Sequence, residues 1–150
     1  MRCLCVKSFK PPTLYPKAKK ANGLERKDFD RANVIKEEIR QQDQRFLAVY
    51  VEAKNSIMIL LSEKEDRLGT MAIAVPKPHD MVGTVTSSIL IGDKHVISAR
   101  MFAEYVASKK GKIAMVSVYL DKVSEIQAQE FFMYLIDKVL KTDSKERTPA

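Results

Sequence analysis

The side chains with the greatest capacity for chemistry in this sequence are two cysteines, Cys3 and Cys5, and two histidines, His79 and His95. A C-x-C pair can hold a soft metal ion, but a structural zinc site needs four ligands and no second pair follows. Both histidines lie in predicted loops, and a catalytic histidine needs a nucleophile that the sequence does not show. We therefore expect no catalytic residue, no metal site, no cofactor and no small-molecule substrate, and predict that the protein is not an enzyme.

Asp93 and the glycines suggest two further kinds of ligand site, and each has a simpler structural explanation. Asp93 follows Gly92 and could bind a cation, yet a place in the N-cap region of a predicted helix accounts for it. Phosphate-binding loops need clustered glycines, whereas the five glycines of this chain are all isolated. The sequence therefore indicates a binding scaffold rather than a catalyst.

The net charge of +7 is concentrated at the N-terminus. Residues 1–27 hold eight Lys or Arg residues and a single acidic residue, so residues 28–150 are neutral overall. Three prolines and an Asn-Gly pair lie in the same stretch, which predicts a basic, disordered N-terminal arm. The arm could contact an acidic partner or nucleic acid, but the neutral remainder of the chain argues against nucleic acid as the main partner.

Two features of the sequence bear on the cellular compartment of the protein. No apolar run approaches the roughly 20 residues needed to cross a bilayer, and no apolar signal segment follows the basic N-terminus. The only two cysteines are one residue apart, a spacing that rarely forms a structural disulfide. We expect a cytoplasmic protein without a membrane partner.

The clearest pattern of elements covers residues 82–119 and predicts a strand, a helix and a second strand. Residues 85–91 alternate as a strand does, and residues 113–119 return as another strand. Gly111 supplies the left-handed residue that ends the helix between them. The apolar face of that helix is predicted to consist of Ala99, Phe102, Ala103 and Val106.

Two apolar stretches, residues 46–53 and 56–61, flank Lys54-Asn55, which predicts a hairpin with a two-residue loop. Residues 70–75 are a further strand. Residues 28–44 are ambiguous between a helix, which their propensity favours, and an irregular edge strand.

The last element is a helix. Ser124 and Gln127 match a capping box, and an apolar stripe follows them as far as Lys141. We therefore predict a polar C-terminal tail over residues 142–150 and one α+β domain over residues 28–141. Its expected architecture is an antiparallel sheet of five to six strands, with two helices from the C-terminal half packed on one face.

Several strands are apolar on both faces, whereas two helices can cover only one face of such a sheet. The second face would expose a large apolar patch, which a second copy of the chain would cover by packing sheet on sheet. We therefore predict a homodimer formed through the sheet. The predicted dimer or partner surface consists of Leu47, Val49, Val51, Met58, Leu60, Met71, Ile73 and Met115.

Three stretches read together resemble the family of the third and fourth eukaryotic proteasome assembly chaperones and their archaeal-type relatives. They are "NSIMILLSEKEDRLGTMAIAVP" from Asn55, "VTSSILIGD" from Val85 and "KKGKIAMVSVYLDKVS" from Lys109. The resemblance rests on their order and spacing over about 100 residues.

This resemblance implies a small, dimeric, non-catalytic α+β domain that binds core-proteasome α-subunits and assists α-ring assembly. It also implies a strand within residues 28–44. The ending "ERTPA" lacks the hydrophobic-Tyr-any motif by which another class of proteasome chaperones and activators docks into α-ring pockets. We therefore expect binding that does not use the C-terminus.

Two other functions are compatible with the sequence. One is a small interaction scaffold of the roadblock or longin type, which also combines a sheet with helices. The other is a nucleic-acid-associated protein that acts through the basic arm.

Overall fold

The computed structural model describes residues 31–78 and 83–146. The predicted arm over residues 1–27, with both cysteines, and His79 lie outside this part of the chain. The described elements are β1 (Asn33–Gln41), β2 (Gln44–Glu52), β3 (Ser56–Glu63), β4 (Thr70–Val75), β5 (Thr86–Ile91), α1 (Val96–Lys110), β6 (Ile113–Tyr119) and α2 (Glu125–Glu146). This order confirms the predicted succession of elements and the α+β class.

The six strands form one mixed sheet in the order β1-β2-β3-β6-β4-β5. β6 pairs in parallel with β3 and antiparallel with β4, so the prediction of a purely antiparallel sheet was wrong. The run Ile113–Tyr119 is apolar on both faces, which suits a central strand. It therefore lies between β3 and β4, which are successive in the chain but not neighbours in the sheet.

Gly69 lets the chain enter β4 at very close range to β6. A Cβ atom at this position would lie 2.0 Å from the carbonyl oxygen of Val118. The Gly69 amide also donates a hydrogen bond of 2.9 Å to the hydroxyl of Ser117. Only glycine fits this approach of one backbone to another.

The ambiguous stretch before β2 is a strand, as the family resemblance implied. β1 pairs antiparallel with β2 through a tight turn at Gln42 and Asp43, both of which have positive φ. Ile35 is buried while Val34 is 56% exposed, the alternation of an edge strand with one covered face. Packing of Ile35 on the core overrides the helical propensity of its neighbours.

The β2–β3 hairpin has the predicted register, with Val49 opposite Leu60 and Val51 opposite Met58. Both helices pack on the other face of the sheet, where alternate strand residues are fully buried. Aromatic rings join the layers there. The ring of Phe132 lies edge-on to Phe46 at 5.6 Å and to Phe102 at 6.3 Å. The buried sheet residues of this face include Phe46, Ala48, Tyr50, Ile57, Ile59, Leu61, Ala72, Ala74, Ala114, Val116 and Val118.

The helix boundaries agree with the sequence in two places and depart from it in two. Gly111 ends α1 in the left-handed conformation, and the Ser124 hydroxyl accepts from the Gln127 amide at 3.5 Å. The N-cap of α1 is His95, not Asp93. α2 continues past Lys141 to Glu146, into the stretch predicted to be a polar tail.

Candidate partner-binding surface

The open face of the sheet, on the side away from the helices, carries all eight residues of the predicted surface. Seven of them are partly exposed, and Leu47 is 9% exposed. The sheet register joins them across four strands, because Met58 lies opposite Met115 and Ile73 opposite the same methionine. The structure therefore brings Leu47, Val49, Val51, Met58, Leu60, Met71, Ile73 and Met115 into one apolar patch.

The two sides of this patch differ in chemistry. On β1 the open face carries the exposed Val34 opposite Val51 and is charged beyond it. Arg45 of β2 donates through Nε to Glu38 there at 2.9 Å. The hydrogen bond from Arg45 holds the pKa of Glu38 below its usual value. On the other side the patch continues to Val75, 46% exposed, and Leu90, 50% exposed. The predicted surface did not include these two residues, although strand alternation places them on this face.

A buried polar network lies at the end of the sheet where α1 and α2 finish. Asp143 is fully buried and accepts hydrogen bonds from Lys110 at 2.7 Å and from Asn33 at 3.1 Å. Glu52 is also buried and accepts from Lys112 at 2.6 Å. The network fastens the end of α2 to β1, β2 and α1.

The pKa of Asp143 reflects two opposing effects. Burial by itself raises the pKa of this carboxyl group, but hydrogen bonds from Lys110 and other neighbours outweigh burial, so that the pKa lies below its ordinary value. The group is therefore a buried anion held by a cation. Sequence reasoning missed it because residues 142–146 have the composition of a solvated tail.

Glu125, in the first turn of α2, supplies the cap that α1 lacks. His95 makes no side-chain cap bond, and the amide of Ser98 instead donates to Glu125 at 3.2 Å. The Ser98 hydroxyl donates to the same carboxylate oxygen, and His95 Nδ1 lies 3.3 Å from the other. Hydrogen bonds from Ser98 and then from His95, partly offset by burial, lower the pKa of Glu125.

Ser98, Glu125 and His95 are residue types that occur in hydrolases, but their arrangement is structural. The carboxylate lies between the serine and the histidine, whereas a triad needs the histidine next to the serine. Ser98 is also 2% exposed. The cluster closes the N-terminus of α1 against α2.

Glu63 has a comparable structural role before α2. This buried carboxylate accepts hydrogen bonds from three successive amides, those of residues 121–123, at 2.8 to 3.2 Å. Its second oxygen has no hydrogen-bond partner among the described residues. The contact positions the short connection between β6 and α2.

Residues 31–78 and 83–146 contain no group of three or more His, Cys, Asp or Glu side chains placed to hold a metal ion. No described helix is both long enough and apolar enough to cross a bilayer.

The described part of the chain is thus an α+β domain with helices on one sheet face and an apolar patch on the other. Neither a family model nor a curated protein sequence matches the chain. Among solved structures, the fold is similar to that of a chain in the crystal structure of a chaperone complex for yeast 20S proteasome assembly. The TM-score is 0.57 at 17% identity, with 78% of this chain and 98% of that chain covered. This similarity establishes a fold like that of a proteasome assembly chaperone.

Proposed function

We propose that this protein is a non-catalytic chaperone of proteasome assembly that binds core-proteasome α-subunits and assists formation of the α-ring. The observation that carries the proposal is the similarity of its fold, over nearly the whole length of the yeast chain, to a component of a chaperone complex. Two further features support it. The fold presents an apolar surface suited to a protein partner, and the Ser, His and Glu side chains that meet do so in a structural cap.

A binding experiment with purified α-subunits tests this proposal, and the structure indicates where the chain can be shortened. The tagged chain is compared with a variant that lacks residues 147–150. The cut falls there because α2 runs to Glu146 and Asp143 is buried, so a longer deletion would damage the fold. We expect both chains to retain α-subunits equally. Failure of the full chain to bind any α-subunit would refute the function, and loss of binding only in the shortened chain would refute a C-terminus-independent mode.

We further propose that the open face forms a homodimer by packing against the same face of a second copy. Each central strand contributes apolar side chains to this face, and no described helix lies over it. Burial of apolar area at about 25 cal/mol per Å² would support a dimer at micromolar concentration after association costs. The charged strip at Glu38 and Arg45 would then lie at the rim of the interface.

Leu60→Glu tests this interface because residue 60 is at the centre of the patch. Ile126→Glu is the matched control, since Ile126 is on α2 and 81% exposed. In sedimentation at low micromolar concentration we expect wild type and control at twice the 17.0 kDa chain mass, and Leu60→Glu at the chain mass. A monomeric wild type, or a Leu60→Glu variant that stays dimeric, would exclude dimerisation through this face.

A further inference from the structure

A groove of about 600 Å³ lies between the C-terminal halves of α1 and α2. The two helices run side by side in the same direction, as their contacts show: Ser98 meets Glu125 near their starts, and Lys110 meets Asp143 near their ends. The groove is lined by exposed and partly exposed residues, while the sheet-facing sides of both helices are buried. It therefore lies on the opposite side of the molecule from the open face.

Three exposed lysines, Lys109, Lys141 and Lys145, border this groove. None of them forms a salt bridge with a described carboxylate, whereas the fourth lysine of the groove, Lys110, is paired with Asp143 at 2.7 Å. Even with the carboxylate of Asp137 in its lining, the groove thus has a surplus of positive charge, on a domain whose residues from 28 onward are neutral overall. A surplus of this kind favours an anionic partner.

Between the lysines the groove is apolar. Leu140 is partly buried and packs against the core, and Tyr105 lies across from it on α1. The Tyr105 hydroxyl donates to Asp137 at 2.6 Å, which fixes the ring, and Lys109 Nζ lies 5.5 Å from the ring centre. Helix dipoles explain lysines in the last turns of helices, but they do not explain an apolar floor between them.

We propose that this groove binds an acidic peptide segment of a partner protein, with an apolar side chain on Leu140 and Tyr105 and carboxylates on the flanking lysines. The basic N-terminal arm of this chain does not fit, because like charges would meet. A groove between two helices with an apolar floor also suits a peptide better than a nucleic-acid backbone, which favours an extended basic surface. This surface and the open face can be occupied together.

Fluorescence polarisation with a labelled ten-residue peptide of glutamates around two leucines tests the groove. The full chain is compared with Lys141→Glu/Lys145→Glu and with Lys54→Glu/Lys94→Glu, a control that makes the same charge change at exposed sites outside the groove. We expect the groove variant to bind about tenfold or more weakly than wild type and the control to remain within about twofold. Circular dichroism checks that each variant is folded.

Two further probes separate the kinds of ligand. A peptide with serines in place of both leucines should bind about fivefold more weakly, because it cannot fill the apolar floor. Single-stranded RNA of the same net charge should bind less tightly than the leucine peptide. The proposal is overturned if folded groove and control variants lose affinity equally, if the leucines make no difference, if the RNA binds more tightly, or if the wild-type chain does not bind the peptide.

Discussion

Replacement of Asp143 by alanine tests whether the end of α2 is part of the folded domain. The carboxylate is fully buried, and it pairs with Lys110 at 2.7 Å and accepts from Asn33 at 3.1 Å. In the variant, Lys110 loses its nearest anion, and Asn33 loses a buried acceptor. If residue 143 instead belonged to a solvated tail, its replacement would remove no buried contact.

The expected loss of stability depends on the partners that Lys110 keeps in the variant. Removing one member of a buried ion pair costs about 3–5 kcal/mol, but Lys110 keeps Glu52 at 3.6 Å and is itself 19% exposed. We therefore expect a loss of about 2–4 kcal/mol in the free energy of unfolding, or a fall of roughly 10 °C in Tm for a domain of this size.

Urea unfolding monitored by circular dichroism measures this loss. Lys145→Ala is the control, at an exposed site that forms no salt bridge with a described carboxylate. The double variant Lys110→Ala/Asp143→Ala should cost less than the sum of the two single changes, by about 1–2 kcal/mol. A loss below about 0.5 kcal/mol in Asp143→Ala would refute the buried pair, because that is the effect of an ordinary surface substitution.

Three further predictions follow from the same geometry. Because the pKa of Asp143 is lowered on folding, its contribution to the free energy of unfolding is present above its unfolded pKa and is lost as pH falls through the folded pKa. Between pH 7 and pH 3, the free energy of unfolding in urea should therefore fall less for Asp143→Ala than for wild type. Glu125→Ala should cost about 1–2 kcal/mol by uncapping α1, and an unchanged urea midpoint would contradict that role. Gly69→Ala should lower Tm more than Gly111→Ala, because its Cβ would clash with the backbone of Val118 whereas the site at Gly111 is spacious; equal shifts would argue against the close approach.

Local patterns were enough to predict most elements. Strand alternation gave the faces of the β2–β3 hairpin, and a two-residue loop fixed its register. Three-and-four spacing gave the buried side of α1, including Phe102 and Val106. Both signals depend on neighbours within a few residues, so they can be read without knowing the rest of the fold.

The order of strands in the sheet could not be obtained in that way. Successive strands usually pair, which by itself would place β4 beside β3. The local sequence of Ile113–Tyr119 does not indicate that this strand lies between β3 and β4. Its apolar side chains on both faces are compatible with a central strand, but they do not identify its neighbours. Local propensity left the strand at Asn33–Gln41 ambiguous, because burial of Ile35 in the core, where α2 packs on β1, decides against a helix.

The polar contacts were the least predictable part. Asp143 and Glu125 look like ordinary helix-surface acids in the sequence, and each gains its role from a residue about 30 positions away. The placement of the eight patch residues on one face was inferred correctly from alternation. Their role in dimerisation or partner binding stays a prediction.

The central position of β6 has a consequence for how the chain folds. β1, β2 and β3 form successive hairpins, and β4 and β5 form another, so each set can assemble from local pairs. The two sets are joined in the sheet only by β6, the last of the described strands to be synthesised. It pairs Ile113 with Ser56 on one side and Val118 with Thr70 on the other. Closing such long loops is entropically slow. During synthesis the edge strands β3 and β4 of the two half-sheets therefore stay unpaired until residue 119 has left the ribosome. A chain truncated before β6 would keep these edges exposed and would be prone to aggregate.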